Sequence, residues 1–155
     1  ALSFGAADFL RDLGRSYATM SADETELLYA RSQISIAARA AGVLAIDTPF
    51  LGLIIDEEGL IRESKIALQL GFKGKMVIHP KHISFVNQIF TPSLEDVNYA
   101  EKVIKTYEEA AARGLGAASL EGRMIDYATY KMAKELILAC KAINEKEKRG
   151  LAPKG

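Results

Sequence analysis

The chain has 155 residues, of which 49% are hydrophobic and 26% are charged, so it can bury a core and is not an intrinsically disordered sequence. Its 20 lysines and arginines balance its 20 aspartates and glutamates, which excludes a general electrostatic attraction to nucleic acid or to an anionic membrane. The single cysteine, Cys140, excludes a disulfide within the chain, and no apolar run approaches the ~20 residues of a membrane span. With no signal-peptide pattern at its start, we expect a cytoplasmic protein without nucleic-acid or membrane partners.

Strand and helix patterns alternate in the first part of the chain, as in a parallel sheet covered by helices. The predicted strands are residues 1–7, 43–46 and 76–78, and the predicted helices are residues 25–41, 57–70 and 81–90. Residues 9–20 are predicted to be irregular. Ser21 and Glu24 have the spacing of a capping box, in which each side chain binds the other residue's backbone amide at the start of a helix.

The second part of the chain predicts two helices joined by a hairpin. Ser93 and Asp96 repeat the capping-box spacing before a long helix that reaches about residue 113. Residues 114–125 predict a hairpin that turns at Glu121-Gly122. Asp126 is expected to cap a last helix, residues 127–144, and residues 145–155 predict a flexible tail.

Three parallel strands at regular spacing indicate an α/β fold, either part of a TIM (β/α)8 barrel or a small doubly wound sheet. A complete barrel needs about 250 residues. The chain is therefore too short for one. It is expected to be the carboxyl-terminal part of a barrel, about three βα units, or to have its missing half elsewhere.

The predicted strands are followed by Asp8, Asp47 and His79, which we expect to be near neighbours because the carboxyl ends of parallel strands meet at one face. Each also has a plain structural explanation. Asp8 suits a turn or cap, Asp47 can start an Asp-Thr-Pro turn, and His79 can form a local hydrogen bond before Pro80. Asp8 is the strongest metal-ligand candidate, because the small residues before it leave room for an ion, although one carboxylate is not sufficient.

Asp126 is the other candidate for catalysis. The pattern alone favours an N-cap of the last helix over a general acid or base presented on a lid. Arg123 is expected to lower its pKa and keep it ionised. The absence of a GxGxxG or Walker sequence argues against a dinucleotide or P-loop site.

Several motifs in a fixed order carry a resemblance to a known family. They are Phe4-Gly5-Ala6-Ala7-Asp8-Phe9, Tyr29-Ala30-Arg31, Ala37-Ala38-Arg39-Ala40-Ala41-Gly42, Ala45-Ile46-Asp47, Gly71-Phe72-Lys73-Gly74-Lys75, Ile78-His79-Pro80, Phe90-Thr91-Pro92-Ser93 and Gly122-Arg123-Met124-Ile125-Asp126. Over nearly the whole chain, they resemble the carboxyl-terminal half of the citrate lyase β-subunit-like enzymes, which include malyl-CoA and citramalyl-CoA lyases.

The resemblance implies a TIM barrel with a carboxyl-terminal lid, often in trimers, and Mg2+-dependent cleavage of a carbon–carbon bond in an acyl-CoA. By motif, Asp8 matches a Mg2+ ligand. Ala7, Ile78 and His79 match positions that contact the CoA thioester substrate. Asp126 matches a catalytic carboxylate that the lid offers to a neighbouring subunit, where it would exchange a proton with the acyl-CoA. Asp47 is expected to support the site rather than to touch the substrate.

The resemblance also predicts the division of the chain: a partial barrel over residues 1–92, a helical and hairpin lid over residues 93–144, and the tail. The family's second Mg2+ carboxylate and its substrate-binding arginine come from earlier strands, so we expect the chain alone to bind metal weakly and to be inactive. It would act as a homo-oligomer or with a complementing amino-terminal half. The alternatives are a non-catalytic assembly module derived from the same barrel, and a truncated chain with no separate role.

Overall fold

The structure is a computed structural model that describes residues 1–16, 20–21 and 23–150. The chain divides into two compact units, Ala1–Phe90 and Thr91–Gly155. The first contains β1 (Leu2–Ser3), α1 (Ala6–Asp12), α2 (Thr25–Ala40), β2 (Ala45–Ile46), α3 (Glu57–Gln69) and α4 (His82–Phe90). The second contains α5 (Leu94–Ala112), β3 (Ala118–Leu120), β4 (Arg123–Ile125) and α6 (Tyr127–Lys148). Residues 17–19 of the predicted irregular segment and residues 151–155 of the predicted tail lie outside the described residues.

A short parallel sheet forms the centre of the first unit, which confirms the predicted alternation of strands and helices. β1 pairs with β2, with Leu2 opposite Ala45. Residues 73–76 continue the pairing on the other side of β2, since the Lys73 amide donates to the Ala45 carbonyl over 2.8 Å. The predicted third strand at residues 76–78 is wrong. Pairing is centred on Lys75, and within the described residues the apolar run beyond it is exposed at Val77 and Ile78.

The chain turns into helix α1 earlier than the sequence predicts. The first strand ends at Ser3 rather than at residue 7, and residues 6–12 are helical rather than extended or irregular. Ala6 and Leu10, four residues apart, are both buried in the core of this unit, so packing of one helical face stabilises the segment. Asp8 therefore lies in the first turn of α1 and not at the tip of a strand.

The predicted capping box of α2 is also wrong. Glu24 is the N-cap residue and has a left-handed backbone, with φ of 52°, but its side chain makes no capping bond. Instead it is buried and binds Arg31. Ser21 pairs with Glu26, whose Oε1 accepts from the Ser21 amide over 2.9 Å. Burial beside a guanidinium thus replaces the local capping role of Glu24.

The second unit agrees closely with the sequence. Ser93 and Asp96 form the predicted capping box of α5. The β3–β4 hairpin turns through Glu121 and Gly122, which both have positive φ, as a two-residue type I′ turn requires. α6 extends to Lys148, four residues beyond the predicted end, because charged Glu and Lys residues are good helix formers. Within the described part of the chain, no helix is long and apolar enough to cross a membrane.

Candidate functional site

The first turn of α1 carries two of the predicted site residues, Ala7 and Asp8. Both are exposed, and the Asp8 side chain retains 74% of its accessible surface. Its Oδ1 accepts a hydrogen bond of 2.8 Å from Arg11 Nη1, so a cation already lies beside this carboxylate. In residues 1–16, 20–21 and 23–150, no group of three or more His, Cys, Asp or Glu residues could hold a metal ion. Asp8 can therefore contribute one carboxylate to a metal site but cannot form that site with its described neighbours.

Ile78 and His79 lie in the loop between Lys75 and α4. Ile78 is 67% exposed, and His79 is half-buried. Nδ1 of His79 accepts a hydrogen bond of 3.2 Å from the Lys81 amide, which is the local contact that the sequence left open for this residue. A neutral imidazole that accepts at Nδ1 carries its hydrogen on Nε2. His79 can therefore donate a hydrogen bond to a ligand from Nε2.

Asp47 has a role that the sequence did not indicate, since its carboxylate belongs to a buried ion network. It accepts hydrogen bonds from Arg31 Nε to Oδ1 over 3.0 Å and from Lys75 Nζ to Oδ2 over 2.9 Å. Glu63 binds the same two cations through Oε1, at 2.8 Å from Arg31 Nη2 and in a short contact with Lys75. Glu24 completes the network through Arg31 Nη1. All five residues are buried, so two cations and three carboxylates share one water-poor space.

The network raises the pKa values of Arg31 and Glu63, which favours the charged form of the arginine and the neutral form of the glutamate. Burial disfavours the charge of Arg31, but the carboxylates of Asp47 and Glu24 outweigh it and raise the Arg31 pKa. For Glu63, burial is the largest cause and Glu24 adds repulsion, so its pKa rises to about 8 despite the nearby Lys75 ammonium. With every group ionised, the network would carry one excess negative charge. A proton on Glu63 removes that excess.

The sequence contains one signal for this network, which is the presence of charged residues within the apolar stripes of two helices. Arg31 lies four residues after Leu27 on the buried face of α2, and both side chains are almost fully covered. Glu63 similarly lies between Leu60 and Ala67 on the buried face of α3. A charged residue within an apolar stripe needs a charged partner. Searching those stripes for opposite charges would have found these residues.

Asp126 belongs to the second unit and is the N-terminal cap of α6. Its Oδ1 accepts from the Thr129 amide over 2.9 Å and from the Thr129 hydroxyl over 2.7 Å. These bonds lower the Asp126 pKa, as predicted in direction. The predicted cause is wrong, because the guanidinium of Arg123 lies over the ring of Tyr99, 5.9 Å from its centre.

Within the first unit, Asp8, Asp47 and His79 do not form one hydrogen-bonded cluster among the described residues. Asp8 binds Arg11, Asp47 binds Arg31 and Lys75, and His79 binds the Lys81 amide. No hydrogen bond or ion pair joins Asp8, Asp47 and His79 in the part of the chain that the structure describes. Asp47 is a buried structural group, whereas Asp8 and Ile78 are open to a ligand.

Comparison with known proteins places these residues in a family. The sequence profile described as HpcH/HpaI aldolase/citrate lyase matches residues 1–80, which is more than half of the chain. The chain belongs to this family. The predicted membership is confirmed, and the matched region contains Asp8, Asp47, Ile78 and His79.

Curated members of the HpcH/HpaI family match most of the chain. The mitochondrial citramalyl-CoA lyase of Rattus norvegicus is 39% identical over 146 residues, which cover 94% of this chain and 42% of the relative. The citrate lyase subunit beta of Leuconostoc mesenteroides subsp. cremoris is 48% identical over 104 residues, covering 67% of this chain and 34% of the relative. The chain thus spans less than half the length of these relatives.

Solved structures of the family share its α/β fold. CitE from Mycobacterium tuberculosis, in complex with magnesium, acetoacetate and coenzyme A, is 34% identical and superposes with a TM-score of 0.71. That match covers 90% of this chain and 51% of CitE. A citrate lyase from Burkholderia xenovorans, 22% identical with a TM-score of 0.75 over 93% of this chain and 46% of that one, supports the fold alone.

Proposed function

We propose that the chain is part of a Mg2+-dependent carbon–carbon lyase. It would act on a 3-hydroxyacyl-CoA thioester of the malyl, citramalyl or citryl type and release acetyl-CoA, or the corresponding acyl-CoA, and a keto acid. The observation that carries the proposal is the match of 94% of the chain to a citramalyl-CoA lyase. The magnesium and coenzyme A in the CitE structure give independent support for the cofactor and the substrate class.

The proposed architecture follows the expected division. Residues 1–92 would form the carboxyl-terminal part of a TIM barrel, residues 93–144 a lid and residues 145–155 a tail. Earlier strands would come from the same polypeptide or from a complementing half, and the active assembly would be a homo-oligomer such as a trimer. We keep the cytoplasm as the predicted location, although the rat citramalyl-CoA lyase is named as mitochondrial.

Asp8 is the residue of this chain that we assign to Mg2+. Bound Mg2+ would polarise the oxygens of the hydroxyacyl or keto-acid group as a Lewis acid. Mg2+ commonly takes one or two protein carboxylates and completes its shell with water and substrate oxygens. The exposed Asp8 carboxylate suits such a partial contribution, and the second carboxylate would come from outside this chain. Arg11 would have to release Oδ1 or leave the metal to Oδ2.

Ala7, Ile78 and His79 are the residues that we assign to the CoA thioester. Ala7 has no functional side chain, so its contribution would come from the backbone. The exposed side chain of Ile78 offers an apolar contact. His79 Nε2 can donate to an acceptor such as the thioester oxygen, because Nδ1 is already occupied by the Lys81 amide.

Asp126 is the proposed proton carrier. Its lowered pKa keeps the carboxylate ionised near neutral pH, which is the state that can accept a proton from the acyl-CoA methyl group in the condensing direction. Cleavage would return that proton to the same carbon. Because Thr129 binds Oδ1 twice, the Asp126 carboxylate is held in one orientation. We assign the other oxygen, Oδ2, to the substrate proton.

Complementation tests this function. The chain is mixed with a separately made amino-terminal half, and Mg2+-dependent release of acetyl-CoA from malyl-CoA and citramalyl-CoA is measured. We expect Asp126→Asn to lower kcat about 100-fold or more with little change in KM, as loss of a general base does. The matched control is Asp96→Asn, which alters the cap of α5 and should leave kcat unchanged. A soluble, inactive complex of the halves would favour the non-catalytic alternative.

A further inference from the structure

The start of α1 is held by a side chain from another part of the first unit. Gly5, the N-cap residue, offers no side-chain acceptor, and the first amides of a helix have no acceptor within it. The Ala6 amide instead donates to the Thr48 hydroxyl over 3.2 Å in a fully buried contact. Thr48 is 2% exposed and lies 42 residues away in sequence. Asp8 follows only two residues after the amide that Thr48 binds.

Thr48 is itself held at a fixed point of the sheet. The preceding residue, Asp47, has no exposed surface, and its carboxylate binds Arg31 and Lys75. The Asp47 main chain is also paired, since its amide donates to the Gly74 carbonyl over 2.9 Å and its carbonyl accepts from the Met76 amide over 3.0 Å. Pro49 restricts the backbone of Thr48 from the other side. The hydroxyl therefore has a defined position relative to β2.

From these contacts we propose that Thr48 is a positioning residue for Asp8. Its hydroxyl fixes the first turn of α1 against the end of β2 and so sets where the Asp8 carboxylate meets its cation. The inference rests on the proposed function, because it takes Asp8 as the residue that binds Mg2+. It adds a residue that touches neither metal nor substrate.

Metal affinity is sensitive to such support. Loss of a group that orients a metal ligand typically lowers affinity 10–100-fold. Thr48→Val keeps the shape of the side chain but removes the acceptor for the Ala6 amide. Thr48→Ser keeps the hydroxyl and removes only a methyl group. We therefore expect Thr48→Val to raise the Kd for the divalent cation about tenfold, and Thr48→Ser to stay within about twofold of the unchanged protein.

The test uses the complete active enzyme that contains this chain, with Mn2+ as the probe. Binding is measured from the electron paramagnetic resonance signal of free Mn2+, which does not depend on turnover. Hydrogen exchange at the Ala6 amide is measured in parallel, and it should become faster in Thr48→Val and remain slow in Thr48→Ser. Asp8→Asn is the reference for loss of the ligand itself. If Thr48→Val does not fold, Thr48→Ala removes the same hydroxyl without adding a methyl group.

Each outcome has a defined meaning. The positioning role is supported if Thr48→Val binds Mn2+ more weakly and Thr48→Ser restores the affinity. The KM for the thioester at saturating metal should then be unchanged. The positioning role is overturned if Thr48→Val binds Mn2+ as tightly as the unchanged protein while Asp8→Asn abolishes binding. That result leaves the proposed function intact. Unchanged affinity in Asp8→Asn overturns the metal assignment of Asp8, and the role of Thr48 with it.

Discussion

The protonation of Glu63 predicts a distinctive dependence of stability on pH. Glu63 is 3% exposed, its Oε1 binds Arg31 and Lys75, and its buried Oε2 has no hydrogen-bond partner among the described residues. Burial, reinforced by Glu24, raises its pKa from 4.5 to about 8. The informative substitution is Glu63→Gln, which retains an acceptor oxygen but cannot titrate. It therefore mimics the protonated side chain at every pH.

Stability should fall as the pH rises, because the folded protein binds more protons than the unfolded chain over this pH range. The folded-state pKa of Glu63 lies above the unfolded value, so the folded protein holds a proton that the unfolded chain has released between about pH 4.5 and pH 8. The contribution of Glu63 to stability is complete below the lower value and is lost as the pH rises to the higher one. One such proton lowers the free energy of unfolding by about 1.4 kcal/mol per pH unit, or about 4 kcal/mol between pH 5 and pH 8.

Urea denaturation followed by far-ultraviolet circular dichroism at several pH values from 5 to 9 measures this slope. Glu63→Gln is expected to be about as stable as the unchanged chain at pH 5 and to lack this slope, so that it becomes the more stable of the two as the pH rises to 8. Glu58→Gln, an exposed position on the same helix, should retain the original slope. A constant difference between Glu63→Gln and the unchanged chain over the whole range would show that Glu63 does not hold the proton.

Three further substitutions test the fold by urea denaturation. Arg31→Met should lower the free energy of unfolding by about 3–5 kcal/mol, because it leaves the buried carboxylates of Asp47 and Glu24 with one cation, Lys75. Exposed Arg62→Met should change it by less than about 0.5 kcal/mol, and equal effects would contradict the network. Gly122→Ala should lower the free energy of unfolding by about 1 kcal/mol, because Gly122 has a φ of 79°. Gly116→Ala, the control, should leave it nearly unchanged. An unchanged free energy of unfolding in Gly122→Ala would argue against the turn. Asp126→Ala should lower the free energy of unfolding through the lost cap, and an unchanged stability would remove that role.

Local sequence signals predicted the second unit well because its structure is set by neighbours in sequence. The Ser93 and Asp96 capping box and the Glu121-Gly122 turn depend on residues at most three positions apart. The same signals failed at Glu24, where a partner seven residues away determines the conformation of the side chain. They failed again in α1, where burial of Ala6 and Leu10 decided between strand and helix.

The candidate site was also predicted only in part. The resemblance of ordered motifs identified the family, and the chemistry assigned to Asp8, Ile78, His79 and Asp126 depends on it. Motif order gives no information on which polar groups face the interior. Asp47 was therefore expected at the site, whereas its partners Glu63 and Lys75 were not singled out.

The location of the buried network explains what it gives the fold beyond stability. Replacing a buried ion group with apolar side chains is often neutral or stabilising, so stability alone does not account for five buried charged residues. Apolar packing tolerates small displacements, whereas bonds to fixed carboxylate oxygens define distance and direction. Asp47 is bonded in this way and is followed directly by Thr48, which holds α1, and Lys75 lies four residues before His79. The network therefore fixes both backbone segments that lead to the proposed ligand contacts.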